Sequence, residues 1–440
     1  MKALQRTLAG GLACAFLALT LASCGEEDPA VTRLNAAKKA YETALQGQST
    51  ATQTLADATF ALASDEQEAT SIEKSKPTLE EAITKAIKNR DAGERTYQQK
   101  QQDTAAARQA LAQLEKEQEE PRRYKDNALG FFIWNAHDSG ADIETVKKYF
   151  LGEVLGSHEA VPNLACATDA TSYQNLKESI RWLDKGNEMR RRENTSEGTD
   201  LQELLVTDLA MVVAELHADY SKKVIGHHAN SGQCAFHMGE NLAWGNRSGP
   251  DGPFEAWYTN EKKTYQKDPF NKNNDPNWYN SVGHYFNVID PSYKVAGFAI
   301  NNDPDCLYGK LYAYSFSLST RGEKAYTVEQ YRARIAAYDA YLRELDTQRN
   351  TAQKCVSDAQ TSEKAAQSEL TRLENAIASA QKARDAAIQR LDDLTEKIAA
   401  DKAAVTAAQE TLEQAKETTR LAKQELEDAQ KALEDAHISV

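Results

Sequence analysis

A seven-residue repeat occupies both ends of this 440-residue chain and leaves little freedom for their structure. In the first part, Leu34, Tyr41, Leu55, Leu62 and Ile83 fall on one heptad position. Ala37, Ala44, Ala51, Ala58 and Ile72 fall on a second, three residues later. The tail repeats the pattern with Leu370, Ile377, Leu391, Ile398, Val405 and Leu412, accompanied by Ala380, Ala387 and Ala408. Apolar residues at 3-4 spacing form one seam along a helix, and such helices bury their seams against each other. A large residue at one seam position and Ala at the other lets two helices approach closely. Pro77 has no N–H to donate, so a kink or a restart is expected there.

The two arms, residues 24–120 and 326–440, have similar lengths. At about 1.5 Å per residue, a helix of roughly 90 residues reaches about 130 Å. Antiparallel pairing within one chain, as a stalk with the middle domain at its far end, is favoured because linkage concentrates the partners. Pairing between chains in a coiled-coil oligomer is the alternative. The mean hydropathy of −0.66 agrees with a chain that is only partly globular. A net charge of −14 argues against phosphate backbones, so nucleic acid is not an expected partner.

Residues 1–23 read as an export signal: Lys2 and Arg6, then an apolar run from Leu8 to Leu21, then small residues. Leu21-Ala22-Ser23-Cys24-Gly25 resembles a bacterial lipobox, in which the cysteine is lipidated. The expected location is the cell envelope, on the outer face of a bacterial membrane, held by acyl chains on Cys24. Export also permits disulfides among Cys166, Cys234, Cys306 and Cys355.

All five Trp lie between residues 134 and 278, inside a globular stretch. Residues 121–169 carry the apolar run Leu129–Trp134 and should dock on the core that follows. Beyond them, Asn175–Arg192, Leu201–Tyr220 and Ala256–Tyr265 read as helices. Tyr285–Ile289, Val295–Asn301 and Leu311–Leu318 read as strands. The fold class is α+β.

Three runs in this stretch carry the chemistry: Met238-Gly-Glu-Asn-Leu-Ala-Trp-Gly245, Ala256-Trp-Tyr-Thr-Asn-Glu-Lys262 and Gly283-His-Tyr-Phe-Asn-Val288. Imidazoles and carboxylates together ligate divalent ions, exchange protons or simply bond to each other. The runs resemble the CAP superfamily of cysteine-rich secretory, antigen 5 and pathogenesis-related proteins, across residues 170–325. The resemblance implies an α-β-α sandwich with a cleft lined by two His and two Glu. Carried over, these are His228 (or its neighbour His227), Glu240, Glu261 and His284. The family places the second Glu three residues after the Trp, where this chain has Asn260. Glu261, one residue on, is turned by about 100° on an α-helix and misses the cleft unless the register shifts.

Cys234 and Cys306 are the candidate disulfide pair, and a divalent metal such as zinc is the candidate cofactor. Trp244, Trp257 and Tyr285 are candidate cleft aromatics; His237 reads as facing outward, and His217 as a packed or surface residue. The function expected is binding of an extracellular ligand, lipid or protein. A metal-dependent hydrolase and a purely structural envelope protein are the alternatives. No Gly-x-Ser-x-Gly elbow is present.

Overall fold

A computed structural model describes residues 28–150, 166–227 and 239–436. The chain opens with helix α1 (Pro29–Glu117), followed by α2 (Glu119–Arg123), α3 (Ala128–Ser139) and α4 (Ile143–Phe150). Then come α5 (Tyr173–Glu197), α6 (Asp208–Tyr220) and strand β1 (Gly239–Trp244). A π-helical turn (Glu255–Asn260) runs into α7 (Glu261–Lys267), and α8 (Gly283–Ile289) follows. Strands β2 (Val295–Asn301) and β3 (Leu311–Ser317) precede α9 (Val328–Asp435).

The chain divides into two compact units. The first joins the described residues up to Gln98 with those from Lys364 onward. Within it, α1 and α9 run antiparallel. Arg33 pairs with Glu425 at 2.8 Å, Asp65 with Lys397 at 2.7 Å and Glu68 with Arg390 at 2.8 Å, so one partner number rises as the other falls. Leu34, Ala37, Ala429 and Leu433 form one buried layer of the seam, large against small as the heptads predict. Helix α1 continues through Pro77 rather than restarting. The missing hydrogen bond costs about 3 kcal/mol, and the seam packing on either side of Pro77 offsets it.

The second unit is Gln99–Glu363. Its sheet is antiparallel in the order β1-β3-β2. Side chains alternate between the two faces. Phe298 of β2 stacks on Trp182 of α5, with ring centroids 6.2 Å apart, so Ala296, Phe298 and Ile300 face α5. Gly297 and Ala299 face α6, where Ala299 packs with Ala214 and Ala218. Helices thus cover both faces, giving the α-β-α sandwich. The first face carries large residues. The second carries small ones, so α6 lies close to the strands.

Local chemistry sets the helix limits. The Ser172 and Thr207 side chains cap α5 and α6 by accepting from Asn175 N and Ala210 N. Gly198 ends α5 in a left-handed conformation. The expected helix from Leu201 therefore begins only at Asp208. Before it the chain is extended, with Leu205 N donating to Lys294 O and Val206 N to Tyr326 O. The run Tyr285–Ile289, expected as a strand, is instead part of helix α8. A run of five residues, apolar but for Asn287, does not separate the two periods. Here Tyr285 and Val288, three apart, both turn inward. The buried Arg190 guanidinium donates to Val288 O at 2.9 Å and Asp290 O at 3.0 Å, holding the carbonyl end of α8 against α5.

Candidate functional site

The site depends on one extra residue. Trp257 is buried and its indole donates to Leu242 O at 3.0 Å, which fixes the helix start against β1. From Glu255 to Asn260 the backbone makes a π-helical turn. A π turn holds more residues per turn than an α turn and absorbs a single-residue insertion. That is the register shift Glu261 needs. Its Oε1 accepts from His284 Nδ1 at 2.6 Å and its Oε2 from Tyr285 N at 2.9 Å. The carboxylate thereby orients the His284 imidazole.

A second contact set holds this dyad from behind. Glu193 of α5 is buried and accepts from Tyr258 at 2.8 Å, Tyr285 at 2.6 Å and Lys262 at 2.8 Å. Tyr285 neighbours His284 and Lys262 neighbours Glu261, so one carboxylate ties both supporting helices together. Burial and the nearby Glu193 hold the Tyr258 phenol up at about 12.

Glu240 on β1 belongs to a different group. Its carboxylate is buried and receives His217 Nδ1 on one oxygen and His227 Nδ1 on the other. His217 was expected to be packed or on the surface. It is packed, and its bond to Glu240 is one the sequence reading did not include. The hydrogen bond to Glu240 pushes the His227 imidazole above its usual range. His228, His237 and Cys234 lie outside the described residues. Cys306 is buried as a thiol pointing at Asn301 O, and burial pushes it up to about 12. Cys166 and Cys355 are free thiols.

An open cleft of about 380 Å³ runs along the edge strand. Leu242, Ala243 and Trp244 of β1 form one wall, Ala256, Trp257 and Glu261 another. His284, Arg247 and Tyr308 complete it, and Glu240 does not line it. Tyr285, expected near the cleft, points instead into the core toward Glu193. A family model, that of the cysteine-rich secretory protein family (CAP), matches residues 183–318. This segment is a CAP domain. Among curated proteins, no significant match to the chain was found. The CAP match covers the sheet, the π turn and both imidazole–carboxylate groups, while the helical arms lie outside it.

Among the described residues, no group of three or more His, Cys, Asp or Glu side chains is placed to hold a metal ion. Both oxygens of Glu240 and both of Glu261 already accept N–H donors within the CAP domain. These hydrogen bonds orient the imidazoles of His217, His227 and His284 on the two carboxylates. The described cleft lining has aromatic faces, one guanidinium and an oriented imidazole, but no Ser, Thr or Cys nucleophile. Apolar and aromatic walls with a few convergent polar groups are the composition common to ligand pockets.

Proposed function

We propose that this chain is an exported lipoprotein, anchored through Cys24, whose CAP domain binds a ligand outside the cell. The observation that carries the binding reading is the cleft beside β1, where Trp244 and Tyr308 stand opposite the Glu261–His284 dyad. Its size suits a small molecule or one residue of a larger ligand. Occlusion tests it. Ala256→Trp fills the cleft from the π turn. Wild type purified from its native envelope is expected to release a bound small molecule on solvent extraction, detected by mass spectrometry. The variant should release less than a tenth as much. Equal yields from the two proteins would contradict the binding reading.

The anchoring reading rests on the lipobox-like run ending at Cys24 and the apolar segment before it. No described helix is long and apolar enough to cross a membrane. Metabolic labelling with radioactive palmitate should mark the wild type and leave Cys24→Ser unlabelled. Label retained in Cys24→Ser would rule out that residue as the anchor.

A further inference from the structure

We propose that Arg247 makes the cleft selective for a ligand with an anionic group, such as a carboxylate, sulfonate or phosphate, carried on a flat apolar body. The inference rests on the binding reading above and names the ligand class. Three observations support it. First, the charges in the lining are unequal in their availability. Glu261 has both oxygens occupied by His284 and Tyr285. Arg247 lines the same cleft, is exposed, and makes no ion pair among the described residues. Among the described lining residues, the cation is thus the one charge left for a ligand, and a guanidinium pairs with planar anions through two parallel bonds.

Second, flat aromatic surfaces stand beside it. Trp244 is half-buried and locked by its indole donating to Ser221 O at 3.0 Å. Tyr308 is 70% exposed at the rim. Third, Tyr308 holds φ at 62°, a left-handed conformation that a bulky residue rarely adopts. Gly245, beside Trp244 on the β1 wall, lies next to it: a Cβ added there would make ordinary contact with Tyr308 Cβ at 3.8 Å. An exposed aromatic ring in an unfavourable backbone conformation gains nothing for the core, and such positions concentrate at ligand clamps. Arg247 and Tyr308, from loops far apart in sequence, therefore bracket the cleft with a charge and a ring.

The test uses the full chain made soluble by Cys24→Ser and two fluorescent probes of similar shape. 1-Anilinonaphthalene-8-sulfonate carries an anion, and N-phenyl-1-naphthylamine does not. Both should bind, and Ala256→Trp should abolish both. Arg247→Gln should weaken the sulfonate roughly fivefold to tenfold, the range for a lost charge-assisted bond at an exposed site. It should leave the neutral probe within about twofold, while Tyr308→Ala should weaken both. An unchanged sulfonate affinity in Arg247→Gln, with both probes still sensitive to Ala256→Trp, overturns the anion assignment alone. Failure of either probe to bind the wild-type cleft overturns the binding reading and this inference together.

Discussion

Gly297→Val is expected to abolish the cooperative unfolding of the CAP domain near room temperature or to lower its stability by about 3 kcal/mol or more. The reason is a backbone contact. A Cβ at Gly297 would lie 1.9 Å from Ala210 O and 2.2 Å from Ala210 C, and a rigid helix backbone cannot swing aside as a long side chain can. Relief requires α6 to move off the sheet. That movement would separate His217 from Glu240 and open the small-residue face at Ala299, Ala214 and Ala218. Native domains have only about 5–15 kcal/mol in hand, so the loss is severe. All five Trp lie in the second unit, so tryptophan fluorescence in a urea titration reports this domain and not the helical arms. Gly249→Ala, where nothing lies within 4 Å of the added Cβ, is the control and should leave the midpoint unchanged. A Gly297→Val midpoint equal to that of the control would show that α6 does not depend on this contact.

The second large effect concerns Glu215, on the buried side of α6. It is 1% exposed, and among the described residues neither carboxylate oxygen has a hydrogen-bond partner. Burial first, and then the nearby Asp169, push its carboxyl well above the usual range. The folded state thus holds the neutral acid. Unfolded, the same group titrates near 4.3. An acid whose pKa is higher in the folded state contributes its full stability below the unfolded value. That contribution is lost as pH rises toward the folded value. Glu215→Met keeps a similar shape without the polar atoms. It should raise stability at pH 8 by about 1–3 kcal/mol, which for a unit of this size is a rise of several degrees in Tm. The gain should shrink as pH falls toward 4. Glu323, also buried and raised to about 7, leaves part of the pH slope in place. A gain independent of pH, or a loss, would contradict the assignment of a neutral buried Glu215.

Why some of this was readable from residues and some was not follows from range. The arms were legible because heptad periodicity is local and repeated; the Leu34–Ala37 layer lies against Ala429 and Leu433 as the large-and-small pattern requires. Strands Val295–Asn301 and Leu311–Ser317 were legible as β-branched and aromatic runs bounded by turns. The run at Tyr285 was misread because four apolar residues in five suit either period, and its tertiary partners, Glu261 and Glu193, decided for a helix. Leu201–Thr207 was misread because its apolar residues continue the pattern of α6, while its backbone pairs with Lys294 and Tyr326 far along the chain.

The candidate site divides the same way. Glu240, Glu261 and His284 were found from motifs. The doubt over Glu261 came from treating the helix as ideal, and no local signal at Thr259 or Asn260 announces a π turn. Arg247 and Tyr308 sit in loops with no periodicity, so only their positions in space reveal them. His217 reads as one more polar residue on a buried helix until β1 brings Glu240 to it.

The central claim is that the π turn carries Glu261 to His284 and so builds the wall of the cleft. The direct measurement is the imidazole signal of His284 in long-range nitrogen–proton NMR of histidine-labelled protein. The wild type should show a protonated Nδ1 and a strongly downfield Nδ1 proton. Glu261→Gln should move that proton upfield. Deleting Asn260, which returns the spacing to three residues after Trp257, should preserve the wild-type signal. An identical Nδ1 proton signal of His284 in wild type and Glu261→Gln would show that the dyad does not form, and the account of the cleft would fall with it.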